Sequence, residues 1–347
     1  MPHRAHMGSA TTTVGFSAAL RGILYILFRI MLTHGGVVLG IPGAVLGILG
    51  KPNDWQPALI KTYNSLHQIS KTHPVRQFIA TVWYMLVPTL PYRPPFWLRR
   101  ASPLLAQAIF GEDSTVYPAD WAEEYGNDAE VWFFLNGVAT TLDIAKTNAM
   151  MLQELFERKV NIIHNPTDSA VLDLLECTLG TIWDDWAIEP RRVATAELKK
   201  ALLKRSILKV VFIAHSQGTI IASDVLYELN ADPELSASHL GKLEVYAFAN
   251  CAHQMERGDA AYMETLVNEM DTVAMLGPLC PYQDWQDLNG KPIRIEGPVI
   301  VQGGKYGHML NAHYLEGLAA GQYRKSNLHH YLRGRNVLSR RFKPRVE

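Results

Sequence analysis

One run of the chain constrains the fold more than any other. Residues 207–214 read ILKVVFIA and pass directly into His215-Ser216-Gln217-Gly218, then into the apolar-periodic stretch Thr219–Leu229. Branched apolar residues without alternation suit a strand buried on both faces, and such strands belong to parallel sheets covered by helices. A strand that turns straight into a helix brings the two backbones almost into contact. The residues two before and two after the central serine must then be small, and Ala214 and Gly218 are. From such a turn the serine projects Oγ from the sheet's upper edge. The helix start aims N–H groups at the same point, which favours developing negative charge. The plainer alternative is a strand–turn–helix with a capping serine.

The flanking sequence repeats this alternation. VWFFLNG (131–137), VNIIHNP (160–166), LEVYAFAN (243–250) and METLVNEM (263–270) read as strands, and IRIEGPVIVQ (293–302) as a hairpin or a pair of strands. Helical patterns fall at Ile144–Phe156, Ala170–Leu179, Ala194–Lys204 and Asn311–Ala320. The expected class is α/β: a mostly parallel sheet with helices on both faces. No internal repeat or low-complexity segment is visible. Walker, Gly-x-Gly-x-x-Gly and His-Glu-x-x-His motifs are missing, so nucleotide, dinucleotide and zinc-protease chemistry lack their usual signatures.

The Ala-x-Ser-x-Gly turn AHSQG, placed after the most β-like strand, resembles the nucleophile elbow of the α/β-hydrolase superfamily. Glycine is the usual first residue there, and alanine is a minor variant familiar from small bacterial lipases. The resemblance covers about residues 130–320 and implies the order Ser, acid, His. Ser216 is the implied nucleophile. Asp271, in an N-x-x-D-x-V segment similar to the acid turn of class 3 lipases and related serine esterases, is the implied acid. Glu269 is its local rival, but a place inside a strand suits packing better, and Asp284 and Asp287 lie on the following loop. The base is expected at His308, on a Gly-rich loop, with His313 in the closing helix beside Tyr314 as the alternative. His215 is a frequent elbow neighbour in the superfamily and is not the expected base. His329 and His330 are expected to be exposed on a basic tail.

A tetrahedral oxyanion needs two aligned N–H donors. The backbone of Gln217 is one. The other is expected from Val138, in the turn Asn136-Gly137-Val138. The superfamily often has His-Gly there, whereas this chain has Asn136, whose side chain could brace the loop. Asn136 and Gly137 are also expected to line the substrate. A simple Asn-Gly turn is the plain alternative. The loop His164-Asn165-Pro166-Thr167-Asp168 reads as a structural turn at the same sheet edge. Two potential ligands there do not make a metal site, so no metal and no cofactor are expected.

The first third has a different character. Ile30–Gly50 contains no charged residue, and it is long enough to cross a bilayer core as a helix. Pairs Gly36/Gly40 and Gly43/Gly47 have the spacing that lets helices approach closely in lipid, although Pro42 and the glycines weaken a straight helix. Leu20–Leu32, with Arg21 and Arg29, suits a helix lying on a membrane surface. Phe78–Tyr92 is apolar, proline-broken and followed by aromatic residues and arginines. The plainer alternative is that all three stretches pack as core helices of an N-terminal cap. A cleaved signal peptide fits less well, because no small-residue cleavage site ends a short apolar region.

Three units are therefore expected: an apolar helical region at 1–125, a catalytic domain at 126–335, and a basic tail at 336–347, with the boundary in the polar segment Asp113–Asp128. At 347 residues, one large or two small domains are expected, and 48% apolar with 19% charged residues excludes a mostly disordered chain. The 33 basic and 33 acidic residues cancel, so no whole-chain field favours nucleic acid. Three distant cysteines (Cys177, Cys251, Cys280) do not build a disulfide framework and read as reduced thiols.

The resemblance implies a serine hydrolase acting on carboxylic esters, with apolar or lipid-like substrates suggested by the first third. Membrane association with a cytoplasmic catalytic domain is the expected location. An acyltransferase on the same scaffold and a non-catalytic, membrane-linked interaction module are the alternatives. The Trp183–Trp186 and Gly277–Gly290 segments are candidates for a lid. Oligomeric state, acyl-chain length and the physiological substrate are not written in the sequence.

Overall fold

A computed structural model describes residues 47, 49–51, 101, 115–118, 128–138, 140–166, 188–280 and 292–335. Its centre is a sheet that contains, among the described residues, seven strands: β1 (Thr115–Tyr117), β2 (Glu130–Leu135), β3 (Val160–His164), β4 (Lys209–His215), β5 (Leu243–Phe248), β7 (Tyr262–Asn268) and β9 (Val299–Gln302). The spatial order is β1-β3-β2-β4-β5-β7-β9. Every pairing is parallel except the β1 edge. Two short strands, β6 (Gln254–Met255) and β8 (Arg294–Ile295), pair separately in parallel.

Parallel neighbours require crossovers, and α1 (Leu142–Phe156), α2 (Ile188–Leu203) and α3 (Gly218–Ala231) lie in those that connect β2, β3, β4 and β5. The side-chain alternation of β2 and β4 divides the core. Trp132, Phe134, Val211 and Ile213 face α1 and the C-terminal residues Tyr314, Leu318, Leu328 and Tyr331. Phe133, Leu135, Phe212 and Ala214 face α2 and α3. Each such fully buried large side chain contributes about 1.5–3 kcal/mol. The expected mostly parallel sheet with helices on both faces is thus the architecture.

Local sequence explains the helix ends. Thr141 caps α1, its hydroxyl accepting the Ile144 N–H at 3.3 Å. The helix buries Ala145, Ala149, Leu152 and Phe156, spaced along one face, and stops where Glu157 turns left-handed. In α2, Pro190 lies in the first turn, where its missing N–H costs nothing.

Several expectations are corrected. The polar segment read as the domain boundary contains β1, whose residues pair antiparallel with β3, so the sheet extends N-terminal of residue 126. The segment 293–302 is the pair of strands and not the hairpin: β8 and β9 belong to different sheets. Glu269 lies just past β7, exposed, and its Oε2 accepts the Gly304 N–H. The histidines at 329 and 330 are half-buried in a 3-10 turn, Asn327–His330, because neighbouring Leu328 and Tyr331 insert into the core.

Among the described residues, no helix is long and apolar enough to cross a membrane. The apolar stretches at 20–32 and 78–92, the Ala170–Leu179 helix and the 336–347 tail lie outside the described residues. Only the end of the Ile30–Gly50 stretch is described. Gly47 and Gly50 are buried there, and the Gly47 carbonyl accepts the Gly307 N–H at 3.1 Å.

Candidate active site

The strand order reverses direction between β2 and β4. From β2 the chain moves outward to β3, then returns across to β4 and continues to β5, β7 and β9. Loops leaving β2 and β4 therefore diverge to opposite faces and open a crevice above their carboxyl ends, where open α/β sheets place their ligands. Asn136-Gly137-Val138 leaves β2 there, and Ser216 leaves β4.

Ser216 has φ of 57°, left-handed backbone that a side chain rarely adopts, held by its N–H donating to the Phe248 carbonyl at 3.1 Å. The N-cap of α3 is Gln217, without a side-chain capping bond, so the plain capping role for Ser216 is not the one observed. Its Oγ instead lies 2.8 Å from His308 Nε2. The close approach of chains explains the glycines. A Cβ on Gly218 would sit 2.7 Å from the Asn136 carbonyl oxygen, and one on Gly137 only 2.5 Å from Ser216 Cβ.

His308 follows β9 on a loop where Gly304 and Gly307 both have positive φ, 66° and 99°. Its Nδ1 lies 2.8 Å and 3.0 Å from the two carboxylate oxygens of Asp271. A carboxylate accepts, so Nδ1 carries the proton and leaves Nε2 to accept from Ser216. Asp271 is fully buried just beyond β7. Its Oδ1 accepts the Val273 N–H at 2.9 Å, and Oδ2 accepts the Tyr314 hydroxyl at 2.6 Å. With the Ala274 N–H on Oδ1 at 3.4 Å, four donors hold a carboxylate that water does not reach.

The structure brings together Ser216, Asp271 and His308. His313 is buried in the single π-helical turn Leu310–Leu315, where its Nδ1 accepts the Met309 N–H at 2.9 Å. That nitrogen is occupied within its own turn, so the two histidines are not equivalent at the serine.

Asn136 braces the β2 turn. Its Nδ2 donates to the Asn165 carbonyl at 2.7 Å and to the Gly137 carbonyl at 2.9 Å, and its Oδ1 accepts the Asn165 N–H. Asn165 in turn donates to Gln217 Oε1 at 3.0 Å. The loop after β3 is therefore tied to the elbow. His164 is buried, with Nε2 at 3.2 Å from the Thr140 carbonyl, and burial pulls its pKa down to about 4. Val138 is half-buried and packs with Ile220, Val273, Cys251 and Leu276 in a small apolar cluster. No group of three or more His, Cys, Asp or Glu that could hold a metal occurs among the described residues. Cys251 is a buried free thiol.

Sequence reasoning missed Tyr314, Asn268 and Asn165. Tyr314 was visible only as the neighbour of His313. Asn268 carries no motif, yet its Nδ2 donates to the Gly307 carbonyl at 2.8 Å, and its N–H donates to Tyr314 Oη at 3.1 Å. Of the two lid candidates, only residues 277–280 are described.

No family model matches this chain, and no curated protein matches it. Among solved structures, the chain is similar to Trichoderma reesei cutinase in complex with a C11Y4 phosphonate inhibitor. That likeness covers 62% of this chain and 86% of the cutinase chain, at 14% identity and a TM-score of 0.32.

Proposed function

We propose that this protein is a serine hydrolase that cleaves carboxylic esters through an acyl-enzyme. The observation that carries the reading is the continuous path Ser216 Oγ to His308 Nε2 at 2.8 Å, and His308 Nδ1 to Asp271 Oδ2 at 2.8 Å, starting from a serine with left-handed backbone.

In this reading Ser216 Oγ attacks the acyl carbon while its proton passes to His308 Nε2. The carbonyl π pair moves to oxygen, and the oxyanion receives the N–H groups of Val138 and Gln217. The tetrahedral species collapses, the bond to the leaving alcohol breaks, and His308 returns the proton to that alcohol. Water then attacks the acyl-enzyme, giving its proton to Nε2; the bond from the acyl carbon to Oγ breaks, Nε2 returns the proton to Ser216 Oγ, and the acid leaves. Asp271 keeps the imidazole in the needed tautomer and stabilises its charged form.

The half-buried apolar side chains of Val138, Ile220 and Val273 support an apolar acyl group. The uncharged stretch in the first third supports a substrate presented at a membrane surface. The non-catalytic alternative draws no support from an imidazole in hydrogen-bond reach of the serine.

The test is labelling with a fluorophosphonate probe, mapping of the modified residue, and hydrolysis of p-nitrophenyl esters of increasing chain length. Labelling at Ser216 is expected, with label and hydrolysis both lost in Ser216→Ala. A Ser216→Ala protein that still labels and hydrolyses would overturn the reading.

A further inference from the structure

One imidazole in the elbow takes no part in the steps above, yet touches the proposed base twice. His215 ends β4, directly before Ser216, and is buried. Its Nε2 lies 2.8 Å from the His308 backbone carbonyl. A carbonyl oxygen only accepts, so His215 Nε2 carries the proton and donates. The two rings also face each other, with centroids 4.9 Å apart and planes inclined by 35°.

We propose that His215 is a positioning residue, which holds His308 by its carbonyl and by its ring face so that Nε2 remains on Ser216 Oγ. This rests on the reading of Ser216, His308 and Asp271 as a hydrolytic set. The need for such a hold follows from the loop. His308 stands directly after Gly307 and four residues after Gly304, both left-handed, in a segment whose backbone glycines do little to restrict. Asn268 fixes the carbonyl before His308, at Gly307. His215 fixes the carbonyl after it. The peptide planes on both sides of the base are thus anchored, by groups on two neighbouring parts of the sheet edge.

The charge state is consistent with this role. His308 becomes an imidazolium during the reaction, and a second cationic ring at that distance would oppose it. Titratable groups around His215 are His308, Asp271, His313 and Tyr314, the last meeting its ring edge-on at 6.4 Å. Burial first, and the neighbouring His308 second, pull the His215 pKa down to about 3. His215 therefore stays a neutral donor at pH 7.

Two variants separate the donor from the ring. His215→Phe keeps a flat ring and removes the N–H. His215→Gln loses the ring and keeps an N–H donor the same number of bonds from Cα. For each, kcat and KM on p-nitrophenyl butyrate and the rate of fluorophosphonate labelling are measured, with folding checked by circular dichroism. His215→Phe is expected to lower kcat and labelling rate together by about 10–100-fold, with KM nearly constant, because a displaced base costs rate and not ground-state binding. His215→Gln is expected to recover most of that loss. A folded His215→Phe protein with wild-type kcat, or equal loss in both variants, overturns the proposal. Should His215→Phe not fold, the Gln variant decides: a rate within about tenfold of wild type supports the donor role, and a larger loss overturns it. A wild-type protein that takes no label overturns the hydrolase reading itself, and a labelled wild type with an unaffected Phe variant overturns only the role of His215.

Discussion

Tyr314 donates its hydroxyl to Asp271 Oδ2 at 2.6 Å, the same carboxylate oxygen that accepts from His308 Nδ1 at 2.8 Å. A buried tyrosine thus shares the acid with the imidazole. Burial and the adjacent carboxylate raise the Tyr314 pKa well above its ordinary value, so it remains a donor. Its own oxygen accepts the Asn268 N–H at 3.1 Å, which aims the hydroxyl.

Replacing Tyr314 by Phe removes that donor and leaves the ring packing intact. A hydrogen bond to a charged group contributes about 1.5–3 kcal/mol, so kcat/KM is expected to fall by about 10–100-fold. The loss should appear in kcat, because Asp271 acts through the imidazole rather than on the ester. Steady-state kinetics on a p-nitrophenyl ester measure it. An unchanged kcat would show that His308 and the Val273 and Ala274 N–H groups suffice to hold the carboxylate.

The left-handed backbone at Ser216 has a cost that the fold bears. Glycine adopts φ of 57° freely, whereas a residue with a Cβ is disfavoured there by about 1–2 kcal/mol. Ser216→Gly is therefore expected to be more stable than Ser216→Ala by about 1 kcal/mol, with both inactive. Urea unfolding of the two inactive proteins is the comparison. Equal stabilities would mean that the elbow relaxes once the serine is gone.

Gly137 allows the β2 turn to lie against the serine. An added Cβ would come within 3.0 Å of Ser216 Oγ and 2.8 Å of the His215 carbonyl, both part of the rigid elbow. Gly137→Ala is expected to lower labelling of Ser216 by about 100-fold or more, since misplacement of about 1 Å can cost that much. A Gly137→Ala protein labelled at the wild-type rate would refute a close, fixed approach of the two turns.

Two buried histidines make stability depend on pH. His164 is held down to about 4 and His215 to about 3, against an ordinary 6.5. Between those values the unfolded chain binds protons that the folded chain does not. Their stabilisation is full above pH 6.5 and is lost as pH falls toward 4 and 3. On lowering pH from about 7.5 to about 5, each is expected to remove on the order of 2 kcal/mol. Urea unfolding at both pH values measures this, with His164→Gln losing less than wild type. An identical pH dependence in the variant would mean that His164 is protonated in the folded protein.

Much of the fold is legible in order. The unbroken apolar run of β4 marks a strand buried on both faces, and the small residues around Ser216 mark a turn where two backbones meet. Asn136-Gly137 marks the facing turn, although its bracing partner Asn165 sits 29 residues away and shows no pattern. The short β1 lies hidden in a polar segment, because an edge strand pairs on one side and needs little apolar sequence. His329 and His330 read as a solvated tail because neighbouring charges mask Leu328 and Tyr331. Leu328 and Tyr331 pack into the core, and the Tyr331 hydroxyl is bonded to buried Glu244; these contacts draw the segment inward.

The amino-acid order determined which serine can stand at a strand–helix turn, since local sterics there involve adjacent residues only. It left two late histidines as candidates for the base. Which of them stands beside Ser216 was decided in three dimensions, and it is His308. Gly307 turns one imidazole toward a carboxylate and a hydroxyl that lie 37 and 92 residues earlier, while a π-helical turn directs the other back onto its own backbone. Contacts over such separations follow from how strands are ordered and where loops cross, and no short stretch of sequence carries that information.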